Sequence, residues 1–215
     1  MRRTLLVLAL SFSLVAAAYA SDDISKVNGS VNVASGQHAG NVSTVNGEVN
    51  VASGATVDKA STVNGSVELD DRSTAREVGT VNGSITLGAG VKVSGAIEAT
   101  NGAISIGHNS EVLGGVSNVN GSLELNQAHV AGGLRTVNGD ITVGADSHVE
   151  GGILVEKPSG WHFGSSRVPH IVIGPHAVVQ GTLEFRREVE LHVSDSAQIG
   201  QVVGATAQKF SGARP

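Results

Sequence analysis

Eight histidines are the residues of this 215-residue chain best suited to chemistry: His38, His108, His129, His148, His162, His170, His176 and His192. A neutral imidazole ligates metals and moves protons near neutral pH. They form no recognisable catalytic pattern. There is no cysteine to act as a thiol nucleophile, no His-Glu-x-x-His pair, no Gly-x-Ser-x-Gly turn and no glycine loop opening a helix to hold phosphate. The 19 acidic residues are scattered, with no Asp-rich nonapeptide of the calcium-binding kind. The sequence therefore reads as non-enzymatic, with no catalytic residue, no cofactor and no metal site assigned.

Which of these side chains meet depends on a repeat. Val-Asn-Gly recurs with small variations, and its asparagines are Asn28, Asn46, Asn64, Asn82, Asn101, Asn120 and Asn138, spaced 18 or 19 apart. A finer period lies beneath. Val27, Val33, Ala39, Val45, Val51, Val57, Val63, Leu69, Ala75, Val81, Leu87, Val93 and Ala99 stand 6 apart and are all aliphatic. After two slips of one residue the pattern reaches Val155, then resumes from Ile173 to Val203. Aliphatic residues also stand two before many of these positions, as in Val31/Val33 and Ile85/Leu87. That is strand alternation, not a helical period.

Three six-residue sides make one coil. The expected fold is all-β: a three-sided, single-stranded parallel β-solenoid of about ten coils of 18–19 residues, with each strand lying on its counterpart in the coil before. Handedness stays open, because right-handed crossovers are the rule for parallel strands while left-handed hexad solenoids exist. The narrow cross-section accounts for 3% aromatic residues, and the corners for 29 glycines. Gly114-Gly115, Gly132-Gly133 and Gly151-Gly152 fall at one corner of successive coils. The repeated Asn-Gly is read structurally, as a corner whose stacked amides form a ladder.

Within this frame His129 and His148 come closest in adjacent coils, with Asp146 the nearest third ligand, and solvated imidazoles are the preferred reading. Thr44, Thr62, Thr80 and Thr136 stand two before a motif Asn and suggest a Thr-x-Asn surface array, as in ice-binding solenoids. Residues 156–170 break the pattern with two prolines and an aromatic pair. They are expected to form an irregular coil or protruding loop, with Trp161, His162, Phe163 and Arg167 as a candidate binding loop. The solenoid is expected over 21–203, with 204–215 as a tail or cap.

The first 20 residues read as a secretory signal peptide: Arg2 and Arg3, an apolar run from Leu5 to Ala18, and Ala18-Tyr19-Ala20 as cleavage site. Cleavage would remove two arginines and no carboxylate, moving the net charge from −5 to −7 and leaving no transmembrane segment. An acidic product argues against nucleic acid as partner. Export to the periplasm or cell surface of a Gram-negative-like bacterium is the expected location.

The 18-residue coils, the Gly-Ala-x-Val-x-Gly phrasing of Leu87 to Gly95, and the runs Val143 to Ile153 and Ile173 to Leu183 resemble bactofilins, bacterial cytoskeletal proteins. That resemblance implies end-to-end polymerisation through terminal coils without nucleotide. The recurrent Thr-Val-Asn-Gly-Asp/Ser-Ile/Val is similar to putative adhesin repeats of secreted bacterial proteins. Hexads such as Ile173 to Val178 look like those of hexapeptide acyltransferases, a resemblance that implies a catalytic His and an acyl-carrier site between subunits, whereas an exported protein rarely meets acyl-CoA. The leading reading is an exported structural protein that self-associates through its terminal coils. The alternative is an adhesin-like module engaging a glycan or an envelope protein through the Trp161 loop. Acyl transfer and ice binding follow behind.

Overall fold

The computed structural model describes residues 22–158 and 167–215. Among them every regular element is a strand and no helix occurs. The strands pair in parallel, each with its counterpart one coil away, so the chain is a β-solenoid of about ten coils. One side is a continuous ten-stranded sheet running from Val31–Val33 through Ile104–Ile106 to Ala207–Phe210. Its short strands follow from alternation. Val31, Val49, Val67, Ile85 and Ile104 are register partners one above another, as are Val33, Val51, Leu69, Leu87 and Ile106. Both columns are buried, and the residue between them faces outward.

The other two sides begin as one. His38–Asn46, Thr56–Asn64 and Thr74–Asn82 are nine-residue strands that bend around a corner without breaking. Beyond Thr74–Asn82 the sheet forks into two arms, one starting at Lys92–Val93 and the other at Ile97–Asn101. The fork coincides with the arrival of glycine. A Cβ on Gly114 would lie 2.3 Å from the Gly95 carbonyl oxygen, and one on Gly132 would lie 2.4 Å from that of Gly114. The later corners are tight enough to interrupt the ladder, and only a residue without a side chain fits there.

The hexad columns do not all enter the core. The column expected through Val27, Val45, Val63, Val81 and Val119 faces out: Val27 is 67% exposed and the other four are 38–41% exposed. The corner is the cause. Val57 and Ala60, three apart, are both buried, with Asp58 and Lys59 outside between them. Turning there shifts the alternation by one residue. Ala60 and Thr62 are thereby turned inward and Val63 outward. The core of this side is instead Val42, Ala60, Val78, Ile97, Val116, Leu134 and Ile153. Each fully buried Val, Leu or Ile contributes roughly 1.5–3 kcal/mol.

Two departures from the regular coil follow. Ile141 pairs with Ile171, 30 positions on in sequence, so the segment between Val155 and His170 is an insertion that leaves the stacking register intact. The solenoid also continues past the boundary expected at 203, because Ala207–Phe210 pairs with Glu190–Ser194. Behind that strand Ala213, Arg214 and Pro215 return over the ten-stranded sheet and share a cavity of about 520 Å³ with Thr142 and Pro175.

Candidate functional site

The seven motif asparagines lie along one exposed edge and are bonded amide to amide. Asn46 Nδ2 donates to Asn28 Oδ1 at 3.0 Å, and the pattern repeats through Asn64, Asn82, Asn101, Asn120 and Asn138 at 2.8–3.0 Å. After Gly29, each glycine that follows a motif Asn is dictated by the coil before it: a Cβ on Gly65, Gly83 or Gly102 would sit 1.9 Å from the carbonyl oxygen of the preceding glycine. The ladder ends on a cation that no local pattern announces. Arg187 Nη1 donates to Asn138 Oδ1 at 2.7 Å and to Val137 O at 2.9 Å, while Nη2 donates to Arg167 O at 2.9 Å. A second, shorter ladder joins Asn50 to Asn32.

The threonines expected as a surface array are inside. Thr44, Thr62, Thr80 and Thr136 are at most 6% exposed. The first three donate to the carbonyl oxygens of Gly29, Gly47 and Gly65 at 2.9–3.0 Å, and Thr136 donates to Asn118 Oδ1 at 2.7 Å. The corner that turns Val63 outward turns Thr62 inward, and a buried hydroxyl needs such a partner. These threonines therefore present no flat face to ice. The outward face of this side is a groove of about 690 Å³, bordered by Ser43, Ser61, Val45, Val63, Val81 and Val119 among others. It is an apolar stripe beside a column of small residues.

Of the candidate binding loop, Trp161, His162 and Phe163 lie outside the described residues. Arg167 pairs with Asp140, Nη2 to Oδ2 at 2.6 Å, and Asp140 Oδ1 also accepts from the His170 amide at 2.9 Å. These contacts tie the end of the insertion to the stack. Nearby, Arg186 donates to Glu184 Oε1 and to Glu156 Oε2, both at 2.8 Å, and Arg135 stands 3.2 Å from Glu156. The bonds to Glu184 and then Glu156 hold the Arg186 guanidinium above its ordinary pKa.

His129 and His148 are direct register partners. Asp146, the third ligand expected from spacing, is not with them. It occupies a left-handed corner, φ 56°, and faces His176 at 3.6 Å. The carboxylate that joins the two imidazoles is Glu150, whose Oε1 lies 2.9 Å from His129 Nε2. Its signal was present in the sequence, since i and i+2 share a strand face. His108 instead meets Gln127 at 2.8 Å, and His170 meets Glu190 at 3.2 Å.

The ends of the stack are the remaining feature. Among the described residues, Ile24–Asn28 and Val31–Val33 pair on one side only. At the other end so do Gln198–Ile199, Val202–Val203 and Ala207–Phe210. The aliphatic side chains there, Ile24, Ile199, Val202 and Ala207, are only partly buried, in contrast to their fully buried counterparts mid-stack. No described helix is long and apolar enough to cross a membrane. Compared with known proteins, the chain matches no family model, no curated protein and no solved structure.

Proposed function

We propose that this chain is a non-enzymatic, exported scaffold whose rods join end to end through their terminal coils. The observation that carries the reading is the state of the two ends. Among the described residues each presents strand edges paired on one side; Ile24 at one end and Ile199, Val202 and Ala207 at the other are partly open, while Val31 and Val33 of the first coil are buried. Unpaired edge groups template further strands, and partly exposed core side chains gain from burial. Strands run parallel through the whole stack, so the edge at one end matches the direction of the edge at the other. The resemblance to bactofilins supports the same reading, and the signal-peptide pattern of residues 1–20 supports export.

Light scattering and electron microscopy of the purified chain test it. The expected result is a mass that rises with concentration and particles that lengthen along one axis. Lys209→Pro, which removes an outward-facing backbone donor from the last strand, should shorten them. A strict monomer at every concentration refutes the reading.

A second reading, an adhesin-like binding module, is favoured by the valine-striped groove beside the Asn ladder. An extended glycan or envelope-protein segment would lie along it, with Trp161 and Phe163 as further contacts. Val63→Glu with Val81→Glu would abolish such binding and leave end-to-end association unchanged.

A further inference from the structure

The outer face of the second side carries a cluster that the scaffold reading does not use. Glu111, His129 and His148 are successive register partners on three coils. Val149 points into the core between His148 and Glu150, so alternation places Glu150 on the same outer face as His148. One ligating atom from each of His129, His148 and Glu150 lies within 4.8 Å of the other two. His129 Nε2 is already 2.9 Å from Glu150 Oε1, and the two imidazole rings stand edge to face with centroids 5.4 Å apart. The other ring nitrogen of His129, Nδ1, faces Glu111 Oε1 at 3.9 Å. His148 Nε2 is 3.1 Å from the Gln180 amide nitrogen.

We infer that His129, His148 and Glu150 bind one divalent first-row transition-metal ion of the Zn²⁺ class, clipping two neighbouring coils together, with Glu111 orienting the His129 ring. Two imidazoles and a carboxylate are a zinc donor set that leaves a fourth position for water. Nitrogen ligands disfavour Ca²⁺ and Mg²⁺, which take oxygen. Ligand atoms around tetrahedral zinc stand about 3.3 Å apart, a contraction that half-exposed side chains reach by rotation. The backbone beneath them does not need to move, because Val130 and Val149 are fully buried and hold both strands in place. Glu111 then accepts from Nδ1–H, the carboxylate–histidine–metal arrangement that fixes the ring tautomer.

A second triad, His170, Glu190 and His192, repeats the pattern on the ten-stranded sheet, so the test removes it first. The full chain carrying His170→Ala and His192→Ala is titrated with ZnCl₂ at neutral pH by calorimetry, with equilibrium dialysis as a second measure. The expected result is one Zn²⁺ per chain and a higher thermal midpoint that a chelator reverses. In that background Glu111→Gln should weaken binding about 10-fold, and His148→Ala about 100-fold or more. Far-UV circular dichroism checks that each variant keeps its strands, and His148→Gln replaces any that does not. No zinc uptake in the background chain, or uptake unchanged by His129→Ala and His148→Ala, overturns the inference.

Discussion

Replacing Gly83 with alanine should break the stack in its middle, and the size of the effect can be worked from contacts. Gly83 has φ +157°, and a Cβ there would lie 1.9 Å from Gly65 O and 2.4 Å from Gly65 C. An ordinary C···O contact is about 3.3 Å, so the two coils must part locally by about 1.4 Å, against a strand spacing of about 4.8 Å. Three bonds cross this point. Gly65 N donates to Asn82 O at 2.9 Å, Val67 N donates to Ser84 O at 2.9 Å, and Thr80 Oγ1 donates to Gly65 O at 3.0 Å. Each is worth about 0.5–1.5 kcal/mol net, and a side chain held in the positive-φ region adds about 1–3 kcal/mol. The expected loss is about 3–6 kcal/mol. Gly54→Ala is the control. Its φ is +71° but nothing lies within 4 Å of its Cβ, and non-glycine residues hold the same corner at Arg72, Asn109, Asp146 and His176 with φ 56°. Only conformational strain of about 1–2 kcal/mol applies there, partly offset by lower entropy of the unfolded chain. Urea unfolding followed by circular dichroism should show Gly54→Ala close to the parent. Gly83→Ala should lose at least about 1 M in midpoint, with a split transition as the coils before and after the lesion uncouple. Equal midpoints for the two variants would refute the close-approach argument.

The remaining predictions use the same unfolding assay. Thr62→Val keeps the shape but removes the buried bond to Gly47 O, 2.9 Å, and should cost about 1 kcal/mol; Val63→Thr, on the outward neighbour, should cost almost nothing. Asn118 Nδ2 is a buried polar atom without a hydrogen-bond partner among the described residues. Asn118→Thr removes this orphan donor but also the Oδ1 that accepts from Thr136, so the two effects should nearly cancel and stability should change by less than about 1 kcal/mol. Arg187→Ala removes the donors to Asn138 Oδ1 and Val137 O and should cost about 2–3 kcal/mol, with faster amide exchange near the end of the ladder. Arg167→Ala removes a surface pair with Asp140 and should cost less than about 1 kcal/mol.

A period of 18 or 19 residues is a statement about register, and register is what the sequence by itself determined. In a stack of identical coils, residues one period apart are neighbours, so the columns headed by Val31 and Val33 and the succession of motif asparagines could be placed before any coordinates. The scarcity of large rings fitted the same narrow interior. Direction was another matter. Whether Val63 or Thr62 enters the core depends on how many residues the corner at Asp58-Lys59 consumes: two outward residues between the buried Val57 and Ala60, in place of the usual one, reverse the alternation that an even hexad promises. That count is set by backbone dihedrals at the corner rather than by residue type, so valine ended outside and threonine inside.

Contacts that cross the insertion were also decided only in three dimensions. Arg187 lies 49 positions from Asn138 and reaches it because Ile141 pairs with Ile171, which sets the chain beyond His170 directly over the coil that carries the last step of the ladder. Glu150 joins His129 and His148 because a corner carries Asp146 away while the strand beyond it keeps every second residue on one face. Repetition fixes which coil lies over which; the turns between sides fix which atoms face each other.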